Sequence, residues 1–138
     1  EKNDLILKKI NNCINCEIIP ILCVGESLKQ KKENLTKKIL KEQLLNSLPQ
    51  NINLKNLIIA YEPVWSIGTG VVPKAEEINE IHNYVKDSIL GDKSIKVLYG
   101  GSVKANNYKE LINLIAVDGL LVGGASINLD EFNKIIEF

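Results

Sequence analysis

Short, nearly continuous apolar runs alternate along this chain with segments whose apolar residues recur at helical spacing. The runs Ile18 to Val24, Leu57 to Tyr61, Ile95 to Tyr99 and Gly119 to Val122 have strand length. They lack polar alternation, which suits strands covered on both faces, as in a parallel sheet. Asp4 to Asn11 reads as a helix with Leu5, Ile6 and Ile10 on or near one face. Asn34 to Leu48 reads as another, with Leu35, Ile39, Leu45 and Leu48 on its apolar side and Pro49 closing it. A third runs from about Glu76 to Leu90 on the stripe Ile78, Ile81, Val85 and Ile89; Tyr108 to Leu114 and Leu129 to Ile136 complete the set. Four strands at this spacing predict a parallel α/β sheet with right-handed crossovers. A closed (β/α)8 barrel takes about 250 residues, so a chain of 138 has room for half of one, within a single domain covering residues 1–138.

Charge narrows the partners. Lys plus Arg and Asp plus Glu are each 17, which gives no reason to expect nucleic acid or an acidic membrane surface. Every basic residue counted there is Lys, so no Arg can clamp a phosphate through a planar fork, and backbone amides must do most of such work. No apolar run approaches the roughly 20 residues that span a bilayer. The sequence opens on Glu1-Lys2-Asn3-Asp4 without Met or signal character, so the chain is expected to be a piece of something longer. Cys13 and Cys16 form a C-x-x-C, but it follows a helical stretch, where the dipole has the wrong sign for a reactive thiol. With no second pair or nearby His, a zinc site is not expected, and the pair reads as helix-end packing.

Chemistry concentrates at the strand ends, where parallel α/β folds collect ligands. Gly25-Glu26, Glu62-Pro63, Gly100-Gly101-Ser102 and Gly123-Gly124 each follow a strand. Paired glycines let a backbone approach a ligand and can form an anion-binding nest. A phosphate site from the last two strand loops is favoured over two tight turns. Glu62 ends an apolar strand, and Pro63 biases it toward extended backbone. It suits a general base in a partly apolar pocket, or else a structural ion pair or rim charge. The loop from Pro63 to Pro73 carries Trp65, Gly68 and Gly70, which fits a lid or a long connection that only packs Trp65.

Taken together, Pro20-Ile21-Leu22-Cys23-Val24-Gly25-Glu26, Ala60 through Gly70 (AYEPVWSIGTG), Leu98-Tyr99-Gly100-Gly101-Ser102-Val103 and Asp118 through Ser126 (DGLLVGGAS) resemble the triosephosphate isomerase family in order and spacing. The resemblance spans the whole chain and implies the C-terminal half of a TIM barrel, strands five to eight with their helices. It implies that Glu62 is the catalytic base interconverting dihydroxyacetone phosphate and glyceraldehyde 3-phosphate through an enediol(ate). It places Gly68, Ser102, Gly123 and Gly124 on the phosphate, Pro63 to Pro73 as the closing lid, and Glu26 against Trp65. It implies no metal and no organic cofactor, and a cytoplasmic enzyme of glycolysis and gluconeogenesis that is a homodimer when full length. Lys86 and Asp118 fall where the family often has an Arg–Asp pair.

Two departures matter. The lid's C-terminal hinge reads Val71-Val72-Pro73, and Pro73 has no N–H for the contact that the family's matching Tyr, here Tyr99, makes on closure. The family's electrophilic His and its substrate-binding Asn and Lys lie on the N-terminal half. His82, the only His, sits on a helix and reads as a helix-surface or interface residue. The resemblance therefore supports two expectations: an isomerase segment that works with an N-terminal half, or a non-catalytic half-barrel that at most binds phosphate. Alone, the chain is expected to be inactive.

Overall fold

The computed structural model describes residues 1–137. Four parallel strands, β1 (Ile21–Val24), β2 (Ile58–Tyr61), β3 (Lys96–Tyr99) and β4 (Gly119–Leu120), form one sheet in chain order. The helices are α1 (Asn3–Asn15), α2 (Leu28–Lys32), α3 (Thr36–Ser47), α4 (Ala75–Asn83), α5 (Tyr108–Ile112) and α6 (Leu129–Ile136). The expected parallel α/β order is therefore the observed one.

The sheet has unequal faces. Register aligns Leu22 with Ile59 and Val97, and Val24 with Tyr61 and Tyr99; all six are buried beneath the helices. On the other face, Ile21 is 46% exposed, and Cys23 and Lys96 are also exposed. The expectation of strands covered on both faces thus fails for β1, where burial alternates. It holds best at Ala60 of β2, which is fully buried. Ile18 and Ile19, expected within the first strand, precede it and are 58% and 55% exposed. β1 pairs only with β2, and β4 only with β3, among the described residues, so the outer edges of these two strands carry no ladder partner there.

Two helical expectations need correction, and one helix is additional to those expected. α2 is the additional one: Ser27 Oγ accepts from the Gln30 amide at 3.3 Å, and Gln30 Oε1 accepts from the Ser27 amide at 2.8 Å. This S-x-x-Q capping box was the available signal. In α3 the buried side is Thr36, Leu40, Leu44 and Ser47, and Leu45 is 56% exposed. The helix carries adjacent apolar pairs at 39–40 and 44–45, so spacing alone leaves the core-facing member of each pair open. The third helix starts at Ala75 but widens into a π-helical stretch over Tyr84–Leu90, ended by Gly91 at φ 65°.

His82 is a further correction. It is fully buried, its Nδ1 lies 3.2 Å from the Ala116 carbonyl oxygen, and its ring meets Tyr61 edge-on at 5.9 Å. A carbonyl only accepts, so Nδ1 carries the proton, while Nε2 is buried with no hydrogen-bond partner among the described residues. Burial above all, then the nearby Lys86, outweigh the Ala116 bond and Asp118 and push the imidazole down to about 4. An unfolded chain would protonate near 6.5, so between these values the unfolded state binds the extra proton and stability rises with pH. Acidifying from pH 6.5 to 4 is expected to remove up to about 3 kcal/mol. His82→Gln should flatten that slope in denaturant titrations of the full-length protein.

Lys86 and Asp118 pair at 2.7 Å across the helix–strand interface. Burial disfavours the Asp118 charge, but the Lys86 hydrogen bond, the Val97 amide at 2.8 Å and Lys96 together hold its carboxyl below the usual range. The ion pair thus forms without the fork that an Arg would supply.

Candidate active site

The loops leaving the four strands meet on one side of the sheet. Glu62, one residue beyond β2, is half-buried, with its amide donating to the Val24 carbonyl at 2.8 Å. Its side chain lies directly over Gly100. A Cβ built there would stand 2.7 Å from Glu62 Cγ and 3.0 Å from Oε1. A Cβ at Gly25 would sit 1.8 Å from the Glu62 carbonyl oxygen. These two glycines make room for the carboxylate and its backbone, so Gly100 serves the protein's own packing rather than a ligand's approach.

The second glycine pair differs. A Cβ at Gly123 or Gly124 would meet nothing within 4 Å. Their open side faces a cavity of about 470 Å³ whose lining includes Glu62, Gly68, Ser102, Gly123 and Gly124. All five residues singled out in the sequence therefore border one space. Lys104 and Glu131 line it too, and neither stood out in the sequence. Lys104 was legible only as the cation two positions after Ser102; Glu131 arrives from α6, and no local pattern announces it.

Residues 63–73 fold back on themselves. Thr69 Oγ1 donates to the Trp65 and Ser66 carbonyls and accepts from the Val71 amide at 3.1 Å. Gly68 and Gly70 adopt φ of 70° and 80°, a left-handed backbone that strains any side chain. Trp65 Nε1 donates to Glu26 Oε1 at 2.8 Å, and Tyr61 donates to the same carboxylate at 3.3 Å. Glu26 is thus fully buried rather than at an open rim. Burial, then the Glu26 charge, push the Tyr61 phenol far above its ordinary value, so it remains a donor.

Cys23 lies beside Glu62. Desolvation first, then the Glu62 charge and a hydrogen bond to it, push the thiol up to about 11. It therefore stays protonated near neutral pH. Cys13, Cys16 and Cys23 are all free thiols. Among the described residues no group of three or more His, Cys, Asp or Glu is arranged to hold a metal ion, and no helix is long and apolar enough to cross a membrane.

The family model described as triosephosphate isomerase matches residues 1–138. The triosephosphate isomerase of Neisseria meningitidis serogroup A is 44% identical over 140 residues, covering 99% of this chain and 55% of that protein. That of Francisella tularensis subsp. holarctica is 43% identical over 145 residues, covering 99% and 56%. The crystal structure of triosephosphate isomerase from Bartonella henselae superposes with a TM-score of 0.85 at 35% identity, over 98% of this chain and 56% of that one. The chain spans about half the length of the curated relatives it matches.

Proposed function

The chain belongs to the triosephosphate isomerase family, and on that premise we propose that residues 1–138 supply the proton-transferring carboxylate and the phosphate grip of a triose-phosphate isomerase. The supporting observation is the single cavity bordered by Glu62, Gly68, Ser102, Gly123 and Gly124. Its lining combines a carboxylate with glycine backbone and a hydroxyl.

In this reading the phosphate of dihydroxyacetone phosphate sits against Gly68, Ser102, Gly123 and Gly124, where backbone amides meet an anion without an intervening side chain. Glu62 takes a proton from the carbon next to the carbonyl, leaving an enediol(ate). Returning the proton to the neighbouring carbon gives glyceraldehyde 3-phosphate. Residues 63–73 close over the intermediate and exclude water, which suppresses loss of its phosphate. No metal or organic cofactor takes part. The resemblance adds a cytoplasmic homodimer serving glycolysis and gluconeogenesis, with these residues as half of one barrel domain.

One observation favours a second reading for the chain by itself. His82 is sealed in the core and away from this cavity, so the electrophile must come from another segment. A chain without one would at most bind phosphate.

Gly124→Asp tests the phosphate assignment. A carboxylate there would face the dianion across unoccupied space, with no protein atom to clash with at Cβ. The Michaelis constant for dihydroxyacetone phosphate is expected to rise at least about tenfold, with the fold retained, and inorganic phosphate should compete in the unsubstituted enzyme. An unchanged Michaelis constant would move the site elsewhere.

A further inference from the structure

The lid and the loop carrying Ser102 meet at one buried hydroxyl. Ser66 Oγ lies 2.5 Å from the Val71 carbonyl oxygen, 3.1 Å from the Ser102 amide nitrogen and 3.2 Å from Tyr99 Oη. The roles follow from the partners. A carbonyl can only accept, so the one Ser66 proton goes to Val71. An amide can only donate, so Ser102 uses one Ser66 lone pair. Tyr99 must then donate to the other. One donor and two acceptor sites are thus all occupied on a residue that is fully buried.

We propose that Ser66 is a positioning residue that couples the lid to the phosphate-gripping loop through this single hydroxyl. The proposal rests on the isomerase reading above. Its logic is local. Ser66 and Val71 are both lid residues, tied into one unit by Thr69. Ser102 borders the cavity, and Tyr99 ends β3. Pro73, at the lid's C-terminal hinge, has no N–H to offer Tyr99. The Tyr99 hydroxyl instead finds its acceptor on the lid's N-terminal side. Gly101 is fitted to the arrangement: a Cβ there would lie 2.1 Å from Tyr99 Oη and 2.7 Å from Ser66 Oγ. Any side chain at 101 would displace the hydroxyl pair, so this glycine serves the junction between lid and loop.

Losing the hydroxyl removes at once the partner of the Val71 carbonyl, the buried Ser102 amide and the buried Tyr99 phenol. Its effect should appear where lid and phosphate loop act together. The test compares the full-length barrel carrying Ser66→Ala, Ser66→Thr, Tyr99→Phe, or Ser66→Ala with Tyr99→Phe. Isomerisation and release of inorganic phosphate from dihydroxyacetone phosphate are followed side by side, because an enediolate under a loose lid expels its phosphate. Ser66→Ala is expected to lower kcat/KM about tenfold or more and to raise the fraction of turnovers ending in free phosphate. Tyr99→Phe should do less, and the pair no more than Ser66→Ala alone, since both act on one junction. Ser66→Thr, which keeps the hydroxyl, should recover most of the loss. Amide exchange at Ser102 is read by NMR in the same proteins and needs no activity; Ser66→Ala should accelerate it. Unchanged Ser102 exchange, unchanged kinetics and phosphate release in Ser66→Ala, or additive losses in the pair would each overturn the coupling. An inactive unsubstituted enzyme would defeat the isomerase reading, and Ser102 exchange would still decide the hydroxyl junction.

Discussion

Glu62→Gln in the full-length barrel is expected to lower dihydroxyacetone phosphate turnover by about three orders of magnitude or more, with little change in thermal midpoint. The amide matches the carboxylate in size, so the contact over Gly100 survives. What it loses is the capacity to accept the substrate proton. It also loses the charge beside the Cys23 thiol; burial, the main cause of that thiol's raised pKa, stays, so the pKa should fall only partway from about 11. Two measurements separate chemistry from structure. Turnover should collapse while calorimetry stays near the parent, and thiol reactivity toward an alkylating reagent should rise at neutral pH. Near-normal turnover in the purified variant would remove Glu62 from the role of base.

Expressed by themselves, these 138 residues are expected to show no measurable isomerase activity and to self-associate. The physical grounds are on the surface. Ile18, Ile19 and Ile21 are each about half exposed at the β1 edge, and Ile127, Leu129 and Ile136 are 91%, 73% and 52% exposed around α6 beyond β4. Apolar surface of that extent at two open sheet edges favours association. Catalytically, Glu62 would act without an electrophile to stabilise the enediolate, and electrostatic stabilisation is usually the largest single contribution. Sedimentation of the isolated chain and a coupled assay, with and without an N-terminal half, decide both points. A monodisperse monomer with substantial isomerase activity would overturn them. Activity arising only on mixing would show the two halves assembling into one working barrel.

The sequence by itself determined the order and the parallel sense of the sheet. Apolar runs of strand length, separated by helical spacing, leave few other ways to bury that surface. It also singled out Glu62, Gly123 and Gly124, because a carboxylate or glycine just beyond an apolar strand is a local pattern, while Gly68 and Ser102 were assigned through the resemblance to the triosephosphate isomerase family. Tertiary structure decided everything that depends on what lies across the fold. Which of Ile39 and Leu40, or Leu44 and Leu45, faces the core depended on the sheet and helices beside α3. His82 reads as a helix-surface or interface residue, yet it is buried in the core against the Tyr61 ring and the Ala116 carbonyl. Gly100 and Gly123 look alike along the chain. One makes room for Glu62 and the other borders open space, a difference set by neighbours from other loops. Ser66 shows the limit most plainly. Nothing local marks it, and its role comes from Val71 on its own loop together with Tyr99 and Ser102 over thirty residues away. Periodicity and capping act within a turn or two of the chain, so sequence reports them. Hydrogen-bond capacity is filled by whichever group the fold brings within about 3 Å, so only the assembled structure decides it.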